Sequence, residues 1–105
     1  MELERINPGK DEQRLAGMLK ALGHPLRLSI VRYVSSHPGC ICNDIVLRTG
    51  RAQSTISQHL QTLHTAGLII FVQDGQATSY YLDRQALSWL KTALDAEVLE
   101  SGADH

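Results

Sequence analysis

The chain has few aromatic residues, few cysteines and no long apolar run. With one Trp, three Tyr and one Phe among 105 residues, its core must be built from Leu, Ile, Val and Ala, and in so short a chain that core is modest. Pairing of two copies would enlarge it. Both cysteines lie in Cys40-Ile41-Cys42, too close together to staple distant segments, which excludes a disulfide scaffold. No stretch approaches the roughly 18 uninterrupted apolar residues of a membrane-spanning helix. The opening segment, Met1 to Pro8, lacks the apolar centre of a secretory signal. A cytoplasmic location without a membrane partner is expected. Chemistry-bearing constellations are missing as well. There is no Gly-rich phosphate loop and no pair of carboxylates, and Ser57 and His59 stand too near each other on one segment to present a triad-like geometry. The chain does not read as an enzyme.

What is present fits one small folded domain: 43% of residues are hydrophobic and 20% charged, too apolar for disorder and too short for two domains. Residues 11–98 are expected to form the domain, with tails at 1–10 and 99–105. The net charge of −1 hides an uneven distribution. Residues 20–82 carry five basic against two acidic groups, a net +3, whereas residues 83–105 come to −3 and the first nineteen to −1. A mildly basic centre lies between acidic ends.

The periodicity predicts four helices, a hairpin and a closing helix. Leu15, Met18, Leu19 and Leu22 recur at helical spacing over 11–22, with Asp11 and Glu12 at the positive end. Gly23-His24-Pro25 interrupts, and Pro25 suits the first position of a second helix, with His24 in a helix-entry or packing role. That helix carries Leu26, Ile30, Val31 and Val34 until His37-Pro38-Gly39. A third helix is expected over 43–49, capped by Asn43 or Asp44 and ended by Gly50. A fourth spans 53–66, with Ile56, Leu60 and Leu63 on one face and Gly67 as its stop. Two β-rich runs, 68–72 and 77–82, are joined through Gln73-Asp74-Gly75-Gln76, a hairpin signal. The last helix, about 84–98, has an apolar face formed by Ala86, Leu87, Leu90, Ala93, Leu94 and Val98 that is wider than so small a body needs, with Trp89 extending it.

The expected fold is therefore mainly α with a small β-hairpin, in the order ααααββα: a winged helix-turn-helix, with helices three and four as the motif and the hairpin as the wing. Opposite the apolar stripe of helix four stand Ser54, Ser57, Gln58, Gln61 and Thr65. A solvated face more often carries Lys and Glu in charge pairs. Amides and hydroxyls, which donate and accept, are what reading base edges in double-stranded DNA requires.

The run from Gln53 to Ile69 closely resembles the recognition-helix pattern of the ArsR/SmtB family of bacterial winged-helix repressors. Ala21-Leu22-Gly23-His24-Pro25-Leu26-Arg27 is similar to that family's join between its first two helices, and Thr78-Ser79-Tyr80-Tyr81-Leu82 to its second wing strand. The resemblance covers about residues 12–98. It implies a sequence-specific DNA-binding repressor acting as a homodimer through its first and last helices, on an operator with an inverted repeat. By position in the motif, Gln53, Ser54, Ser57 and Gln58 are the expected base readers, with Thr55 and His59 as phosphate or base contacts and Gln61 on the same face. Arg51 and the helix N-terminus are expected to hold a phosphate. The wing departs from the family pattern: its tip carries no Arg or Lys.

Cys40 and Cys42 stand where arsenic- and cadmium-responsive members of that family place a Cys-x-Cys. In an extended segment both side chains point the same way and could grip one soft ion, arsenite or a soft mono- or divalent metal, as inducer. Thiols beside a helix N-terminus are expected to ionise more readily. The third cysteine usual in arsenite-type relatives is missing, since position 45 is Ile and residues 1–39 contain none. His37, Asp44 or a partner's tail are the remaining candidates for a third ligand. The zinc-type pattern on the last helix is also incomplete, because Asp83-Arg84-Gln85 lacks its histidine. The alternatives are a regulator with no metal site that senses redox state through its thiols, and a winged helix used as a protein-interaction module.

Overall fold

The computed structural model describes residues 6–96, and Val98 of the expected closing helix lies outside them. The elements are α1 (Lys10–Leu22), α2 (Pro25–Ser36), α3 (Cys42–Thr49), α4 (Gln53–Thr65), β1 (Ile69–Asp74), β2 (Ala77–Leu82) and α5 (Arg84–Leu94). This is the expected winged helix-turn-helix order. No helix among the described residues is long and apolar enough to cross a membrane.

Local chemistry sets most of the boundaries. His24 caps α2 by accepting the Leu26 N–H on Nδ1 at 3.2 Å, with Pro25 opening the helix, so the helix-entry role expected of His24 is what the structure shows. Gly50 ends α3 in the left-handed region at φ 68° and turns the chain sharply toward α4. The α3 cap differs from expectation. Ile41 occupies the cap position, and Asp44, three residues on, reaches back to accept the Ile41 N–H on Oδ2 at 2.9 Å. Helix α3 therefore starts one residue earlier than predicted and takes Cys42 into its first turn.

The core gathers one stripe from each helix. Met18 of α1, Ile30 and Val34 of α2, Ile45 of α3, and Ile56, Leu60 and Leu63 of α4 are all fully buried, as are Leu68 and, at the start of β1, Ile69. On α1 the buried stripe is Leu15, Met18 and Ala21, whereas Leu19, expected in the core, is 41% exposed. Ala86 and Leu90 of α5 are buried, but Leu87, Trp89, Ala93 and Leu94 are only half-covered. The wide apolar face read from the sequence is thus only partly used within one chain.

β1 and β2 pair antiparallel from Ile69 opposite Leu82 to Asp74 opposite Ala77. A feature not legible in the sequence ties this hairpin to α3. The segment entering α3 makes an isolated antiparallel bridge between Cys40 and Tyr80. The Tyr80 N–H donates to the Cys40 carbonyl and the Gly39 N–H to the Tyr80 carbonyl, both at 2.9 Å.

Candidate DNA-reading face and thiol site

Helix α4 is pinned from behind by Ile56, Leu60 and Leu63 and presents its opposite side to solvent. Gln53, Ser54, Ser57, Gln58 and Gln61 are all exposed, Thr55 is half-buried, and Arg51 is exposed just ahead of the helix. The structure therefore gathers the expected reading residues on one surface. Ala52 caps α4 with no side-chain acceptor, so among the described residues no cap side chain takes up the first-turn N–H groups. Gln61 donates from Nε2 to Thr65 Oγ1 at 3.3 Å, which ties it to the C-terminal half of the helix.

The two edges of this face differ in chemistry. On one edge, a groove of about 340 Å³ runs between the start of α3, the start of α4 and the hairpin, lined by Cys42, Gln53, Ser57, Gln76, Thr78 and Tyr80 among others. It has no cationic group, and the only charge on the hairpin strands and turn is Asp74. On the other edge, His59 is half-buried with its ring centroid 4.7 Å from that of His24, and Arg27 Nη1 lies 3.4 Å from His59 Nδ1. Arg27 also donates from Nε to the Ala21 carbonyl at 2.7 Å, closing the C-terminal end of α1. Burial pushes the His59 imidazolium toward the neutral form, and His24, Arg27 and Arg51 push the same way.

The two cysteines differ in setting, because Cys42 lies in the first turn of α3 and not in an extended segment with Cys40. Cys40 is 7% exposed and belongs to the core, whereas Cys42 is half-buried and lines the groove beside Gln53 and Ser57. The expectation of easily ionised thiols is corrected. Burial pushes both thiols up, and the Asp44 carboxylate that caps α3 pushes Cys40 further. Desolvation is the larger cause at Cys40 and the cause at Cys42, and at Cys40 the negative charge of the α3 cap adds to it. Tyr80, on the bridge, is also raised, by burial first and then by Cys42 and Cys40. Among the described residues no group of three or more His, Cys, Asp or Glu converges to hold a metal ion. His37 is engaged elsewhere, stacked on Tyr33 with Nδ1 3.0 Å from the Tyr33 carbonyl. Asp44 is committed to the cap.

Comparison with known proteins gives one answer. Residues 24–70, from the α2 cap through α4 into β1, match the family described as "Bacterial regulatory protein, arsR family". The chain is 34% identical over 76 residues to the HTH-type transcriptional regulator YgaV of Escherichia coli (strain K12), covering 72% of this chain and 77% of that protein. It is 29% identical over 83 residues to the arsenical resistance operon repressor of Staphylococcus xylosus, covering 79% of each. Among solved structures, an ArsR-like transcriptional regulator from Rhodococcus sp. RHA1 superposes with a TM-score of 0.76 over 87% of this chain and 85% of that one, at 21% identity, a likeness of fold. The exposed amide and hydroxyl face of α4, the hairpin behind it and these relatives agree: the chain belongs to the ArsR family of bacterial regulatory proteins and is a winged-helix transcriptional regulator, not an enzyme.

Proposed function

We propose that the protein is a homodimeric repressor that reads an inverted-repeat operator through the N-terminal half of α4. The observation that carries this reading is the uncharged, fully presented row of Gln53, Ser54, Ser57 and Gln58, with Arg51 at its head. Amide groups on that row suit bidentate contacts to adenine, and the hydroxyls suit either donors or acceptors in the major groove. Arg51 and the uncapped N–H groups of α4 take a phosphate. The exposed Leu19 of α1 and the half-covered apolar residues of α5, among them Trp89 and Leu94, form the dimer contact. Two copies of α4 then meet successive major grooves about 34–36 Å apart. A gel shift against DNA upstream of the protein's own coding region tests this: specific retardation that is lost in Ser57→Ala/Gln58→Ala supports it, and none at any concentration refutes it.

The inducer is a thiol-binding soft metal or metalloid taken up by Cys40 and Cys42. Support comes from the softness of two thiolates as a donor pair and from the similarity to an arsenical resistance operon repressor. Two sulfurs per chain supply part of a coordination set, so a ligand from outside this chain or from solvent completes it. Cys40 can reach an external ligand only by leaving the core, which loads the bridge through which it holds Tyr80. That bridge joins the hairpin to the approach of α3, so occupancy of the thiols bears on both supports of α4. Because both thiols are raised, binding must displace protons, and inducer affinity rises with pH. Titrating the reduced dimer–DNA complex with arsenite, cadmium, zinc and copper(I) identifies the inducer. Cys40→Ser and Cys42→Ser should each keep DNA binding and lose release; release surviving in both variants refutes the thiol site.

A further inference from the structure

The wing carries no cation, and its one charge is negative. A reading helix seated in a major groove is flanked by two phosphate backbones, and the hairpin edge meets one of them with Asp74 as its only charge. The opposite edge is built differently. At ~100° per residue, His59 lies about 200° around α4 from Ser57, and Gln53 and Ser57 face the groove beside the hairpin. His59 therefore stands on the far flank of the reading face. There two other elements meet it, His24 from the α1–α2 join and Arg27 from α2, and Arg51 in the turn ahead of α4 adds its positive charge to the surroundings.

The internal hydrogen bonds fix what this cluster can offer. His24 Nδ1 accepts the Leu26 N–H, and His59 Nδ1 is turned to the Arg27 guanidinium. In the neutral rings, both protons then reside on Nε2, and among the described residues neither Nε2 has a hydrogen-bond partner. Arg27 spends Nε on the Ala21 carbonyl and keeps N–H groups at its fork. No carboxylate is among the groups that act on His59. Three nitrogen-bearing side chains thus meet, with the Arg51 charge acting on them and no carboxylate among these groups, a donor set that suits a singly charged phosphodiester.

Resting on the reading of α4 as the DNA-contacting helix, we infer that His24, Arg27, Arg51 and His59 form one phosphodiester-binding site on the flank of α4 away from the hairpin, and that a backbone phosphate seated there draws a proton onto His59. In the free protein burial, and after it the neighbouring His24, Arg27 and Arg51, push His59 toward the neutral form. A phosphate reverses the sign of its surroundings and favours the imidazolium. The complex then binds more protons than the free protein, so affinity rises as pH falls through the interval between the two states' pKa values. The contact is to the backbone, so the effect is independent of sequence.

The test is the dissociation constant of the full chain, by fluorescence anisotropy at fixed ionic strength, for an operator duplex and a scrambled duplex of equal length between about pH 5.5 and pH 8. Each linked proton contributes up to ~10-fold per pH unit; at least a fivefold gain from pH 8 to pH 6, equal on both duplexes, is expected. His59→Gln should flatten the profile. Calorimetry of the unaltered protein in buffers of different ionisation enthalpy should register proton uptake on binding, a readout free of any folding defect in the variant. A pH-independent affinity, no proton uptake, a slope that survives His59→Gln, or a slope confined to the operator overturns the inference while leaving operator reading intact. Failure to bind either duplex at any pH overturns both.

Discussion

Replacing Asp44 separates two consequences of one carboxylate. Its Oδ2 accepts the Ile41 N–H at 2.9 Å and provides the side-chain bond that starts the eight-residue α3. Removing it in Asp44→Ala loses that bond and the negative charge at the helix N-terminus, together costing about 1 kcal/mol, within the 0.5–2 range for such caps. Asp44→Asn keeps an acceptor oxygen and gives up only the charge, a loss of about 0.3–1 kcal/mol. Urea unfolding at fixed protein concentration should therefore order the proteins wild type, Asn, Ala in falling stability, with Tm lower by roughly 4–8 °C per kcal/mol. The same charge pushes the Cys40 thiol up. Both variants, in a Cys42→Ser background, should shift the Cys40 titration to lower pH, as read by thiolate ultraviolet absorbance. An Asp44→Ala protein within ~0.3 kcal/mol of wild type would refute the cap, being below the smallest expected loss. A Cys40 titration unchanged or moved upward would refute the electrostatic coupling.

Other outcomes follow from the same geometry. Leu60→Ala, at a position fully buried behind the reading face, should lower stability by about 2–5 kcal/mol in denaturant unfolding, through lost transfer energy and the cavity left behind. The raised thiols make the folded state hold protons that the unfolded chain releases first. Their contribution is whole below the ordinary thiol value of 9.0 and is lost as pH rises through the folded values. The urea midpoint should accordingly fall on the alkaline side, and less so in Cys40→Ser/Cys42→Ser; an equal fall in that variant contradicts the assignment. With Gln73, Asp74, Gly75 and Gln76 at the wing tip offering no cation, the slope of log affinity against log salt should stay short of the roughly −5 to −9 that six to ten neutralised phosphates give.

Helical periodicity and turn chemistry carried the fold a long way: the apolar spacing of Ile56, Leu60 and Leu63, the Pro25 start, the Gly50 stop and the Asp74-Gly75 signal are local, and the elements formed close to where they place them, although β1 runs on to Asp74 and leaves Gly75-Gln76 as the turn. The reading face was legible for the same reason, since a helix turns sequence spacing directly into a surface. Features made by distant segments were not legible. The Cys40–Tyr80 bridge joins positions forty residues apart, and nothing in either segment announces it. The convergence of His24 and Arg27 on His59 is likewise tertiary, although His24 and Arg27 alone were recognisable near a helix start. The thiol chemistry was misjudged because helix position is visible in the sequence whereas desolvation is not. The α3 cap was missed by treating Asn43 or Asp44 as the cap residue, when the reach of Asp44 back to Ile41 moves the helix start and brings Cys42 into the first turn.

The central claim is that the Ser and Gln row of α4 lies in a DNA groove, presented in pairs. Footprinting of the protein on its own upstream DNA measures this most directly. Two protected blocks related by an inverted repeat, with centres about one helical turn (10–10.5 base pairs) or a multiple of it apart, and lost together in Ser57→Ala/Gln58→Ala, are predicted. A single protected block, or protection undiminished in that variant, would contradict it.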